Sequence, residues 1–204
     1  MNIVPASFEV LSPLDYPSML KSIEVAGRTA YKSEGLMTPD SSERFVKMLL
    51  GRGHESVVEH ISITVRFICD RGVSHELVRH RLAAFTQEST RYVNYGNKGL
   101  TFIDPIVFKD DAAKYAVWKE AVRQSEIFYK KLIEMGAKPE EARAVLPQST
   151  KTEVVTTCNI REWRNILRLR TSASAHPQMR EIMIPLLKRF RAEMPALFGD
   201  IPVD

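Results

Sequence analysis

The densest run of chemistry-bearing side chains lies between Arg79 and Tyr92, which reads Arg-His-Arg-Leu-Ala-Ala-Phe-Thr-Gln-Glu-Ser-Thr-Arg-Tyr. Three basic residues at the end of a predicted helix precede a polar turn carrying Gln87, Ser89, Thr90 and Arg91. Such a donor set suits a ligand with both a phosphate and a planar heterocycle. Arginine forks bind phosphate oxygens in bidentate fashion, while hydroxyl and amide groups read ring edges. Composition alone favours a plainer account, a solvated basic helix end, because charge clusters usually face water. The flanking residues decide between the two.

Metal and thiol chemistry find less support. His54 and Glu55 are adjacent, but an HExxH zinc motif needs a histidine at position 58, which is Val58. No metal is expected. Cys69 and Cys158 sit in apolar or β-branched surroundings and in neither CxxC nor zinc-type spacing, so both read as buried thiols. His60, at the head of a predicted strand, reads as a structural partner of backbone groups.

The 204 residues, with an apolar fraction of 44% and a charged fraction of 26%, fit a folded globular chain able to bury a core. No apolar run approaches the ~20 residues of a membrane span, and Met1–Pro5 does not resemble a secretory signal. A cytoplasmic protein without membrane attachment is therefore expected. The formal net charge of +4 suits a protein that handles anions, whether nucleic acid or phosphorylated small molecules.

The elements that must position these residues can be read from periodicity and punctuation. Phe8–Leu11 is predicted as a short strand, Pro17–Tyr31 as a helix, and Asp40–Leu50 as a helix with Glu43 completing a capping box. Ile61, Ile63, Val65, Phe67 and Cys69 alternate with polar or smaller residues, the period of a strand covered on one face. Ser74–Leu82 is read as helical, and Tyr92–Tyr95 and Thr101–Val107 as extended. A long helix is predicted over Asp111–Met135, closed by Gly136, with Trp118, Phe128 and Tyr129 as core or subunit contacts. A short helix follows from Pro139 to Leu146. Lys151–Cys158 is a β-branched strand, Asn159 caps a helix to Arg170, and Pro177 opens the last helix. Without repeats or linkers, one α+β domain over residues 1–204 is expected, with a central, mostly antiparallel sheet flanked by helices and a long helical segment.

Arg79-His80-Arg81, followed after seven residues by Ser89 and then Thr-Arg-Tyr, resembles the signature of the flavin-dependent thymidylate synthases. Upstream, Gly53–His60 is similar to that family's His-Glu-rich segment. Downstream, Ala142-Arg143 with Leu146-Pro147 resembles its Ala-Arg-x-x-Leu-Pro element, and Asn159, Arg161, Asn165 and Leu169-Arg170 recur at its spacing. The resemblance covers about Gly53 to Arg180. Gln87 stands where many members have Glu, and His75-Glu76 where Arg-Gln is frequent.

The resemblance implies FAD held by His54, Ser56, Arg79, His80, Arg81, Gln87, Asn159, Arg161 and Asn165, with His54 beside the isoalloxazine. It implies dUMP held by Glu76, Arg79, Gln87, Glu88, Ser89, Thr90, Arg91 and Arg143, with Arg170 as the catalytic contact to uracil. Arg161 and Asn165, four apart, share a helix face, whereas Arg170 points elsewhere. The implied reaction methylates C5 of dUMP, with methylenetetrahydrofolate as carbon donor and NADPH as reductant of the flavin. The implied assembly is a homotetramer with active sites shared between subunits. Folate-only thymidylate synthases attack the pyrimidine with an activated Cys; here neither Cys is placed for that, so changing both to serine should leave thymidylate formation largely intact. Two alternatives remain at this point: a basic nucleic-acid-binding module whose arginines contact phosphates, and a related flavoenzyme acting at C5 of another uridine nucleotide.

Overall fold

In chain order the elements are β1 (Asn2–Val4), β2 (Ser7–Val10), α1 (Tyr16–Thr29), α2 (Ser41–Gly51), β3 (Ser62–Asp70) and α3 (Arg71–Leu77). They continue as β4 (Ala84–Gln87), β5 (Thr101–Ile103), α4 (Ala112–Glu134), α5 (Pro139–Ala142), β6 (Lys151–Asn159), α6 (Ile160–Thr171), α7 (Pro177–Glu193) and α8 (Pro195–Phe198). This computed structural model describes residues 1–96 and 99–203. The class is α+β, with a four-stranded antiparallel sheet in the order β2-β3-β6-β4 and a parallel pair of β1 with β5. None of the described helices is long and apolar enough to cross a membrane.

The chain forms two compact units: Met1–Glu9, Arg66–Arg79 and Phe85–Val155 make the first, and Val10–Val65, His80–Ala84 and Thr156–Asp204 the second. Strands β3 and β6 each begin in one unit and end in the other. Their side chains alternate between buried and open as the sequence period requires, with Ile63, Val65, Phe67 and Cys69 each 1% exposed or less.

In the first unit, α4 lays Val122 and Tyr129 against Leu100, Phe102 and Ala142, with Trp118 partly buried beside them. Of the three aromatic residues expected as core or subunit contacts on α4, Tyr129 is core and Trp118 partly so, while Phe128 is exposed in the single chain. In the second unit, α6 packs on α7 and α7 on α8. Trp163 is the anchor: its indole N–H donates to the Ile63 carbonyl at 3.0 Å and its ring meets Phe190 edge-on at 5.9 Å. Helices α1 and α2 also pack together, with Gly27 facing Phe45 and Leu49. A Cβ there would lie 2.8 Å from both Leu49 Cδ1 and Phe45 Cε1, so a larger residue would force those two side chains to shift.

Several boundaries differ from the sequence reading. Helix α3 starts earlier than predicted because Asp70 Oδ1 accepts the Val73 N–H at 2.7 Å, and it ends at Leu77. Arg79–Arg81 therefore follow a helix instead of closing one. The expected capping box at Asp40 does not form. Asp40 makes no side-chain cap bond, and the neighbouring Ser41 hydroxyl is bound instead to buried Glu24 and to Thr38. Tyr92–Tyr95 is turn and irregular backbone, β5 stops at Ile103, and the helix from Pro139 turns into a 3₁₀ segment at Arg143.

Candidate active site

In the second unit the candidate residues gather around the start and end of α6. Asn159 Oδ1 accepts the Glu162 N–H at 2.9 Å, the predicted cap, and this fixes the first turn. The Glu162 carboxylate is buried and lies 3.4 Å from His80 Nδ1. Asn165 Nδ2 approaches the same carboxylate at 3.3 and 3.4 Å. On the far side of His80, the Arg170 Nε–H donates to Nε2 at 3.0 Å. Burial pushes the His80 pKa below its ordinary value, and the Arg170 charge adds to that; Glu162 opposes both. His80 is thus a neutral imidazole near pH 7, with one nitrogen facing an anion and the other accepting from a cation.

Arg161 takes a different direction from Arg170, as the sequence suggested. It is exposed and paired with Glu59 at 2.6 Å and Glu55 at 3.6 Å. Between them lies Arg164, which the sequence reading passed over. Its side chain is 1% exposed, forks onto Asp200 at 2.7 Å through both terminal nitrogens, and also donates to the Leu197 carbonyl. Glu55 lies 3.5 Å from both Arg164 and Arg168. Burial would raise the Asp200 carboxyl, but the hydrogen bonds and charge of Arg164 outweigh it and hold the pKa below the usual range. His54, Ser56 and Arg81 are exposed, and Asn159 is half-buried.

In the first unit the signature turn is braced from below. Gln87, the last residue of β4, donates to the Ser74 hydroxyl at 3.0 Å and the Thr152 hydroxyl at 3.2 Å. Glu88 accepts from the Tyr95 hydroxyl at 2.8 Å and from Lys151 at 3.2 Å. Burial and the Glu88 carboxylate push the Tyr95 phenol well above its ordinary pKa, which keeps it a donor. The Ser89 hydroxyl accepts the Arg91 N–H at 3.2 Å, closing the turn, and Thr90 is buried. Arg91 and Arg143 come together at Glu140: Arg91 Nε bonds its carboxylate at 2.8 Å, and Arg143 Nε its carbonyl at 3.2 Å. Both arginines are exposed, as is Arg79, while Glu76 is half-buried near the end of α3. Lys151 and Tyr95 were missed because their partner is reached only through folding. Their proximity to Glu88 has no local spacing to reveal it.

The donor chemistry is of the kind that the two ligands implied by the resemblance require. Exposed guanidinium groups at Arg81 and Arg161, with the neutral donors Ser56 and Asn165, suit a diphosphate-bearing dinucleotide; Arg79, Arg91 and Arg143 suit a phosphate monoester. Among the described residues, no group of three or more His, Cys, Asp or Glu is placed to hold a metal ion.

A family model described as thymidylate synthase complementing protein matches residues 14–196. A flavin-dependent thymidylate synthase of Pyrococcus furiosus is 33% identical over 86% of this chain and 73% of its own length. The chain belongs to the flavin-dependent thymidylate synthase family. A second relative of that name, from Thermococcus kodakarensis, is 40% identical over 76% of this chain and 64% of that protein. The fold is shared with a UMP/dUMP methylase of Streptomyces cacaoi solved with 5-Br UMP, at a TM-score of 0.81 and 21% identity over 98% of this chain and 95% of that one. Within this flavin-dependent thymidylate synthase fold, neither cysteine is built as a nucleophile. Burial, then the Asp70 charge, push the Cys69 thiol up to about 12, and burial with the Glu162 charge pushes Cys158 higher still.

Proposed function

We propose that this chain catalyses the reductive methylation of dUMP to dTMP, with methylenetetrahydrofolate as carbon donor and NADPH as reductant. When bound, FAD supplies the hydride. His54, Ser56, Arg79, His80, Arg81, Gln87, Asn159, Arg161 and Asn165 hold the cofactor; His80 does so chiefly by shaping the site, since it is buried with both ring nitrogens already engaged. Glu76, Arg79, Gln87, Glu88, Ser89, Thr90, Arg91 and Arg143 hold dUMP; Gln87 and Glu88 do so chiefly by shaping the turn, since their polar groups are already tied to the first unit. Arg170 contacts the uracil edge, where its guanidinium stabilises negative charge developing at N3 or O2 and makes C5 more nucleophilic. No protein nucleophile is needed. The working assembly is a homotetramer in the cytoplasm, each active site drawing on more than one copy of the chain.

The observation that carries this reading is Arg170 held by a neutral, buried His80, set beside family membership and an arginine-rich donor set. A guanidinium fixed in orientation suits a ring edge better than a mobile phosphate clamp, which also counts against a general nucleic-acid-binding module. Incubation with dUMP, methylenetetrahydrofolate, FAD and NADPH should yield dTMP, and the purified protein should carry the absorption bands of oxidised flavin. A parallel incubation with UMP separates this activity from methylation of another uridine nucleotide. Colourless protein that retains DNA in a salt-dependent way and forms no dTMP would favour the nucleic-acid reading.

The buried thiols give a separate check. Changing Cys69 and Cys158 together to serine should leave the dTMP rate within about threefold of the parent, while stability falls by roughly 1–3 kcal/mol per buried hydroxyl. Loss of all turnover in a variant that still folds and binds flavin would reinstate a thiol mechanism.

A further inference from the structure

We propose that Glu162 and His80 form a positioning pair for Arg170: the carboxylate fixes the imidazole in one tautomer, and the imidazole fixes the guanidinium plane. The catalytic consequence rests on the role of Arg170 given above, whereas the chain of polar contacts, a 3.4 Å approach of Glu162 to His80 and a hydrogen bond from Arg170 to His80, stands on geometry alone.

A guanidinium can only donate, so the 3.0 Å contact from Arg170 Nε requires a lone pair on His80 Nε2. In a neutral imidazole the proton must then sit on Nδ1, which faces Glu162 Oε1 at 3.4 Å. Protonating Nε2, or moving the proton onto it, would set two donors against each other. Burial works the same way, since His80 is 7% and Glu162 6% exposed, so neither polar contact is easily replaced by water. The carboxylate is itself held by the Asn159 cap on its backbone and by Asn165 on its oxygens. Glu162 and Arg170 lie eight residues apart, roughly two turns of one helix, and His80 bridges them from outside α6. This gives the histidine of the Arg-His-Arg motif an inward task and assigns Glu162, Asn159 and Asn165 to the same chain of contacts.

Carbon and nitrogen NMR of isotope-labelled protein reads the tautomer directly. The full chain should show His80 as the Nδ1–H form at pH 7, with an exchange-protected Arg170 Nε–H. In Glu162→Gln the tautomers should mix and that protection should fall. For turnover per bound flavin, Glu162→Gln should lower kcat roughly tenfold, and Glu162→Asp should recover part of the loss. Placed in an Arg170→Lys background, Glu162→Gln should cost less than about twofold, because the pair acts only through the guanidinium. An Nε2–H or doubly protonated His80 at pH 7 would overturn the proposal. So would equal losses in both backgrounds, which mark a structural role. If the parent protein makes no dTMP, the proposed activity falls while the NMR arms still decide the pair.

Discussion

Replacing Arg170 by alanine should lower the rate of dTMP formation roughly 100- to 1000-fold while flavin stays bound, the loss expected when one pre-aligned donor to developing charge is removed. The size of the effect follows from how the side chain is held. Its Nε–H is committed to His80, so the guanidinium does not have to be ordered when substrate arrives. Arg170→Lys keeps a positive charge but loses the planar fork and the Nε donor, so it should recover little of the activity. The deficit should fall on kcat more than on KM for dUMP, since the interaction grows as charge develops on the ring. Removing Arg170 also removes one of the influences that lower the His80 pKa, which should move towards its ordinary value. Turnover within a few-fold of the parent would exclude Arg170 from the chemical step.

The second large effect is on stability. Arg164→Met should cost about 3 kcal/mol in urea denaturation, near the lower end for breaking a buried ion pair, because Asp200 keeps partial access to water. The loss includes the cap on the Leu197 carbonyl and the link from Glu55 to the C-terminal segment. It also has a pH signature. The Asp200 carboxyl is held below its unfolded value, so its contribution is present above about pH 4 and disappears as the pH falls through the folded pKa. The gap between parent and variant should therefore narrow on acidification below about pH 4. A constant gap would mean that Arg164 acts by packing alone.

These two arginines also mark the boundary of what the sequence discloses. Strand β3 was legible from the alternation of Ile61 to Cys69, β6 from its β-branched run, and the start of α6 because Asn159 is a strong cap. Arg170 was reached through a motif. Arg164, only six residues earlier, offered no such cue. Its charge reads as a solvated helix face until folding brings Asp200, 36 residues away, onto both of its terminal nitrogens. The same holds for His80 and Arg170, 90 residues apart, and for Arg161 and Glu59, 102 apart. Strand β4 was missed for a different reason: Ala84–Gln87 is four residues long and gains its identity from pairing with β6, not from its own pattern. Cap geometry failed at Asp40 because Glu24, buried on another helix, claims the neighbouring Ser41.

Strands β3 and β6 each cross from one compact unit to the other without breaking their alternation. Sliding β3 by a single residue against its neighbours would evert Ile63 and Val65 in the second unit and Phe67 and Cys69 in the first at one stroke. Misalignment therefore has no half measure here: an error at either end of the strand strips hydrophobic cover from both units, so correct pairing of this strand is enforced twice over.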